Sequence, residues 1–208
     1  IKITLENNLD KGVEKIKSFV NDYNTLISTL HNLTSEKKNS DYEPLTKEER
    51  SSLSEDQIKD WDNQAKKGIL RRESNIGRML DELRTAFYDS VEGSSVTLAD
   101  LGISTSANYK DKGKLVLDEV KLKGALEDDF EGVVTLFTKE SDNKYLEKGK
   151  SSERYAENGL MQRLDDIISN QIRTSRDIDG NKGYLVEKAG LVGDSSVAKN
   201  AISKQLDE

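Results

Sequence analysis

The stretch Leu9-Asp-Lys-Gly-Val13-Glu-Lys-Ile16-Lys-Ser-Phe19-Val20-Asn-Asp-Tyr23-Asn-Thr-Leu26-Ile27-Ser-Thr-Leu30-His31-Asn-Leu33 decides the fold class. Val13, Ile16, Val20, Tyr23, Ile27 and Leu30 step by 3, 4, 3, 4 and 3 residues. A period of 3.5 lines such residues up along one side of a helix. Phe19, Leu26 and Leu33 add a second row at seven-residue spacing. Two rows are wider than the seam of a two-stranded coiled coil, so the pattern predicts a helix packed into a bundle, with the first six residues as bundle core. Pro44 is the single proline of the chain, so long helices meet few interruptions.

Upstream, Ile1-Lys-Ile-Thr-Leu5 alternates apolar and polar residues and reads as a strand that Asn7-Asn8 ends. Residues 1–8 are therefore expected to close a neighbouring domain, and residues 9–208 to form a helical one. Downstream, Thr46 with Glu49 and Ser54 with Gln57 read as capping boxes that open two short helices, and Gly68 as a stop. Ser74 is expected to cap a helix bearing Ile76, Leu80, Leu83 and Phe87 on one face. Between residues 96 and 118 the period shifts: Val96 to Leu98, Leu101 to Ile103 and Leu115 to Leu117 suggest a β-hairpin with a polar loop. Asp118 should cap the next helix, and Phe130 to Phe137 form another. A helix is expected from about Ser152 to Arg176, with Leu160, Leu164, Ile167, Ile168 and Ile172 as its stripe. The fold class is thus mainly α: an elongated helical bundle with a small β-hairpin and one strand left over from a neighbouring domain.

Composition narrows the function. Hydrophobic residues make up 34%, about 41% with the 14 glycines, and charged residues 34%, against the ~45–50% apolar (glycine included) and ~25% charged of ordinary domains. Leu, Ile, Val and Phe still number 51 of 208, above the level of disordered chains. Thin cores under a heavily solvated surface follow. The net charge of −7 argues against nucleic-acid partners, and no run is apolar enough for membrane insertion. With no Cys and His31 as the single histidine, thiolate zinc, multi-histidine metal sites and cysteine nucleophiles are excluded.

The remaining candidates are weak as chemistry. Asp177-Ile-Asp179-Gly180-Asn181-Lys182 resembles the start of a calcium loop. Lys182 stands where that loop requires glycine, and Lys188 where it requires its final glutamate, so a polar turn is the better reading. His31 falls on the polar side of its helix. Glu127-Asp128-Asp129 reads as a solvated helix end, because consecutive side chains on a helix point apart. Lys66-Lys67 and Arg71-Arg72 read as a salt-bridged face. Trp61 suits either a core or an interface anchor. Val197, Ile202 and Leu206 form an apolar stripe whose partner is not evident, and such a stripe marks an interaction surface. No cofactor, metal or catalytic site is expected.

Several ordered segments then carry a resemblance. Phe19-Val-Asn-Asp-Tyr-Asn24, Pro44-Leu-Thr-Lys-Glu-Glu-Arg50, Ile58-Lys-Asp-Trp61 and Gly68-Ile-Leu-Arg71 resemble the C-terminal half of the flagellar filament cap family, also called hook-associated protein 2. The likeness continues at Leu101-Gly-Ile103, Lys114-Leu-Val-Leu-Asp118, Leu122 to Leu126 and Val134-Thr-Leu-Phe137. The resemblance implies a secreted structural protein at the flagellar filament tip. It would form a homo-oligomeric ring, promote assembly of exported flagellin, and meet hook-junction proteins and an export chaperone. It also implies that residues 9–208 are the C-terminal part of a helical leg domain, with a role in surface adhesion compatible with the tip location. A flagellin-like or hook-junction filament subunit is the other reading, separated from the first by stoichiometry and tip location.

Overall fold

The structure, a computed structural model, describes residues 2–190, with side chains from residue 9 onward. Helix α1 (Lys2–Ser35) carries the seam quoted above and begins earlier than the sequence pattern predicts. The expected strand at Ile1–Leu5 is a correction, because residues 2–5 are helical. Alternation over five residues is a short signal. Leu5, Leu9 and Val13 also stand four apart and extend the helical row into the seam.

The chain continues as α2 (Lys47–Ser51), α3 (Glu55–Ala65), α4 (Ser74–Thr85), β1 (Ile103–Thr105), β2 (Leu115–Leu117), α5 (Glu119–Asp128), α6 (Phe130–Thr138), α7 (Ser151–Glu157), α8 (Leu160–Ile172) and α9 (Tyr184–Ala189). The mainly α class holds, with one two-stranded sheet formed by β1 and β2. The hairpin starts at Ile103 rather than near residue 96. There, Asp100 accepts from the Thr97 amide (2.8 Å) and hydroxyl (2.6 Å), which closes a turn instead of a strand.

Two compact units emerge. One comprises Asp10–Asp81 and Ser104–Leu117. It buries Ile16, Val20, Tyr23 and Ile27 of α1, Ile76, Met79 and Leu80 of α4, and Leu115 of β2. Val13 and Leu30, at the ends of the seam, are half-buried. Asn24 on α1 imitates a strand neighbour: its Nδ2 donates to the Leu115 carbonyl (2.9 Å), and its Oδ1 accepts from the Leu115 amide (2.7 Å). This satisfies both backbone groups of one edge residue of β2.

Among the described residues, the other unit comprises residues 2–9, Glu82–Ile103 and residues 118–190. Here α5 packs on α6, α6 on α8, and α8 on α9. Leu122 and Leu126 of α5, Val133, Leu136 and Phe137 of α6, and Leu160, Leu164 and Ile167 of α8 are buried with Leu83, Leu101 and Ile103.

Local chemistry sets the helix starts. Both expected capping boxes form. Thr46 Oγ1 accepts from the Glu49 amide (3.3 Å) while Glu49 accepts from the Thr46 amide (2.8 Å), and Ser54 and Gln57 repeat the exchange. Asp118 Oδ1 accepts from the amides of Val120 (3.0 Å) and Lys121 (3.1 Å) at the start of α5. Removing that acceptor by Asp118→Ala should cost about 1 kcal/mol in thermal melts, since one oxygen serves two unpaired amides. A melt within error of the parent would remove this role.

Two further expectations need correction. Helix α4 starts at Ser74, so Ser74 is not its cap; the preceding Glu73 supplies the first accepting carbonyl, to Gly77 (3.1 Å). The single long helix expected over residues 152–176 is broken into α7 and α8 at Asn158-Gly159. The Gly159 amide leaves the helix to donate to the Lys139 carbonyl (2.8 Å). A side chain there would put Cβ 2.7 Å from the Lys139 nitrogen, so only glycine permits this approach. Buried Asn158 fixes the break by accepting from the Ser141 amide (2.9 Å) and donating to Asp166 (3.2 Å).

Candidate interaction surfaces

In the unit holding α1 to α4, the segment after α1 is laid against α3. Half-buried Trp61 donates Nε1–H to the Glu43 carbonyl (2.8 Å) and stacks at a tilt on Tyr42, with ring centroids 4.7 Å apart. Asn39 donates to Gln64 (3.2 Å) one turn further along. Trp61 therefore anchors this chain's own loop, with part of its ring still open to solvent. Arg50 pairs with Asp62 at 2.6 Å, but both are partly exposed, so the pair contributes little stability.

The turn after α3 brings charge together. Gly68 has φ +74°, and its α-carbon lies so close to residues 37–38 that a Cβ would stand 2.4 Å from the Lys38 nitrogen. Glu36 accepts from the Gly68 amide (3.2 Å), and the Arg72 amide donates to the Thr34 carbonyl (2.9 Å). Arg72 is held at φ +58°, a left-handed conformation that costs a non-glycine residue roughly 1–2 kcal/mol. Lys37 and Lys38 thereby join Lys66, Lys67, Arg71 and Arg72. The salt-bridged face expected for the last four is a correction: among the described residues none of these six cations makes an ion pair. Glu36, the residue before Lys37, accepts from the Gly68 amide instead.

In the other unit the main feature is Arg163, 1% exposed on α8. Its guanidinium donates only to backbone carbonyls: Nε to Tyr155 (2.7 Å), Nη1 to Asp89 (2.8 Å), and Nη2 to Ser90 (2.7 Å) and Ala156 (3.1 Å). It also lies 4.6 Å from the centre of the Tyr155 ring, a cation–π distance. Tyr155 and Ala156 are carbonyls of the last turn of α7, which no helical amide reaches, so Arg163 caps that end. The Tyr155 hydroxyl donates to Asp89 Oδ2 (2.9 Å). Burial, followed by that hydrogen bond and the Asp89 charge, pushes the Tyr155 pKa up to about 12.

A raised folded-state value stabilises the fold fully below pH ~10, where an unfolded tyrosine is still neutral, and the benefit is lost as pH climbs through 12. Denaturation midpoints should therefore fall between pH 10 and 12 more steeply for the parent than for Tyr155→Phe. Equal slopes would show that Tyr155 is not the group responsible.

Nearby, Arg154 grips Asp166 with two bonds, Nε–Oδ2 at 2.6 Å and Nη2–Oδ1 at 3.0 Å. The calcium-like loop closes on itself. Asp177 Oδ1 accepts from the amides of Asp179 (3.0 Å) and Asn181 (2.8 Å), and Oδ2 faces Arg173 Nη2 at 3.3 Å. Glu127 and Asp128 are exposed at the end of α5, and Asp129 in addition caps α6, accepting from Ser95 and from the Gly132 amide, which hold its carboxyl below the usual range.

His31 is half-buried, its Nε2 3.2 Å from the Lys112 carbonyl. Val197, Ile202 and Leu206 lie outside the described residues. The structure thus gathers Ile16, Val20, Tyr23 and Ile27 of the α1 seam into one core, leaves Trp61 as a local anchor, and adds Lys37 and Lys38 to the cationic turn of residues 66–72. Among the described residues no cluster of three metal-binding side chains occurs, and no helix is long and apolar enough to cross a membrane.

Against known proteins, a family model described as flagellar hook-associated protein 2 C-terminus matches residues 1–205. The flagellar hook-associated protein 2 of Halalkalibacterium halodurans is 34% identical over 190 residues, covering 87% of this chain and 35% of that protein. The A-type flagellar hook-associated protein 2 of Pseudomonas aeruginosa is 30% identical, over 83% of this chain and 28% of the relative. The crystal structure of the flagellar cap protein FliD D1-D2-D3 domains from Escherichia coli aligns at 28% identity and a TM-score of 0.45, covering 76% of this chain and 31% of that one. The chain spans about a third of the length of the relatives it matches.

Proposed function

This chain belongs to the family of the flagellar hook-associated protein 2 C-terminus, and from that premise we propose that it is the C-terminal leg part of a structural cap at the tip of the bacterial flagellar filament. The observation that carries the reading is the family match over residues 1–205, nearly the whole chain. The working parts in this reading are helix surfaces. The cap forms a ring of identical subunits, sits outside the cell, and promotes insertion of exported flagellin. Hook-junction proteins and an export chaperone are its other partners.

The residue inventory supports a role in contact rather than catalysis. The strongest polar constellations, Arg163 with its carbonyls and Arg154 with Asp166, are consumed in holding helices together. Charged, solvated faces suit a cap that must release and remake contacts as each subunit inserts, since polar interfaces exchange readily. Val197, Ile202, Leu206 and Trp61 remain the proposed partner-facing residues of the leg.

The test is location. Gold-labelled antibodies against this region should mark one end of intact filaments. Label along the shaft would favour a filament subunit and overturn the cap reading.

A further inference from the structure

We infer that the cationic turn of residues 66–72 is one half of a contact between neighbouring copies of this protein, its counterpart being the acidic outer face of α2 and α3 on the next copy. The inference rests on the proposed ring and deepens it by naming a surface.

The argument starts from how charge is distributed. The chain is acidic overall, yet residues 66–72 hold Lys66, Lys67, Arg71 and Arg72 with no carboxylate, and Lys37 and Lys38 are folded against them. Residues 41–62 are the reverse, with eight carboxylates against three cations. Glu48, Glu55, Asp56 and Asp60 there are exposed.

The cationic turn follows the end of α3, whereas Glu48 precedes this helix, Glu55 and Asp56 open it, and Asp60 and Asp62 lie in its last two turns. The eleven residues of α3 span roughly 16 Å. That exceeds the screening length of ~8 Å at physiological salt, so Glu55 and Asp56 neutralise the turn poorly within one copy. A rigid helix also keeps Glu55 and Asp56 from folding onto the turn. The six cations make no ion pair among the described residues, which leaves them available.

The turn is also preorganised and carries an apolar centre. Gly68 packs against Lys38, and Arg72, in a left-handed conformation, donates its backbone N–H to the Thr34 carbonyl. The cations are therefore presented on a fixed backbone. Ile69, 73% exposed, stands among them. An apolar residue ringed by charges is the usual anatomy of a contact whose rim sets the partner and whose centre sheds water.

Geometry then selects the kind of partner. A basic patch on one copy meeting an acidic patch on the next is a heterologous contact. Such contacts repeat around a ring or along a helix instead of closing a two-fold dimer.

The test uses the full-length protein in sedimentation experiments. Self-association should weaken as salt is raised. A variant carrying Lys66→Glu, Lys67→Glu and Arg71→Glu should associate about tenfold or more weakly at low salt, because like charges then face each other. A second variant carrying Glu55→Lys, Asp56→Lys and Asp60→Lys should do the same. Mixed, the two variants should recover association, since each contact in an alternating ring is again between opposite charges.

Parental association by either variant, or no recovery on mixing, would overturn the contact. Should a variant misfold by circular dichroism, the salt titration of the parent decides: association insensitive to salt also overturns it. None of these results touches the tip location, which is tested separately by gold labelling.

Discussion

Arg163→Met is expected to destabilise the protein by about 3 kcal/mol or more. The substitution keeps an unbranched chain in a site that is 1% exposed, so little volume is lost. What it removes are the donors to Tyr155, Asp89 and Ser90, whose carbonyls are left buried at ~1–3 kcal/mol each. Ala156 suffers less because its carbonyl also accepts from the Glu92 amide (3.0 Å). Arg163→Lys should recover only part, since an ammonium cannot reach the carbonyls on two sides as the planar fork does. Urea denaturation with an unchanged slope would report the difference. A loss below about 1 kcal/mol for Met would show that the carbonyls find water instead.

Ile27→Ala is expected to cost about 2–5 kcal/mol, the range for emptying a packed core site. Ile27 is 2% exposed and the deepest of the α1 row. Leu33→Ala, at a position 40% exposed on the same helix, should change stability by less than about 0.5 kcal/mol. Equal losses for the two would mean that the seam period does not identify the packed face.

Legibility in the sequence followed the range of the interactions involved. The capping boxes at Thr46 and Ser54 and the cap at Asp118 were readable because each is complete within four residues. The seam was readable because Ile16, Val20, Tyr23 and Ile27 repeat one packing decision along the helix. Failures arose where a distant contact overrode a local pattern. The expected helix ran unbroken from about Ser152 into the stripe that begins at Leu160, yet the Lys139 carbonyl draws Gly159 out of the helix. Arg163 was passed over because arginine is usually on the surface. A signal was present, since Arg163 stands three after Leu160 and four before Ile167, inside the apolar stripe. The cationic turn was misread for a related reason: Lys37 and Lys38 are thirty residues from Lys67 and Gly68 and meet them only through the backbone approach at Gly68.

The central claim is that this region works as part of a cap, and deleting residues 9–208 from the parent gene tests it most directly, with filaments imaged and flagellin assayed in the medium. The account predicts short or absent filaments with flagellin lost to the medium, because exported subunits would lack the structure that inserts them. Filaments of normal length with normal motility would contradict it.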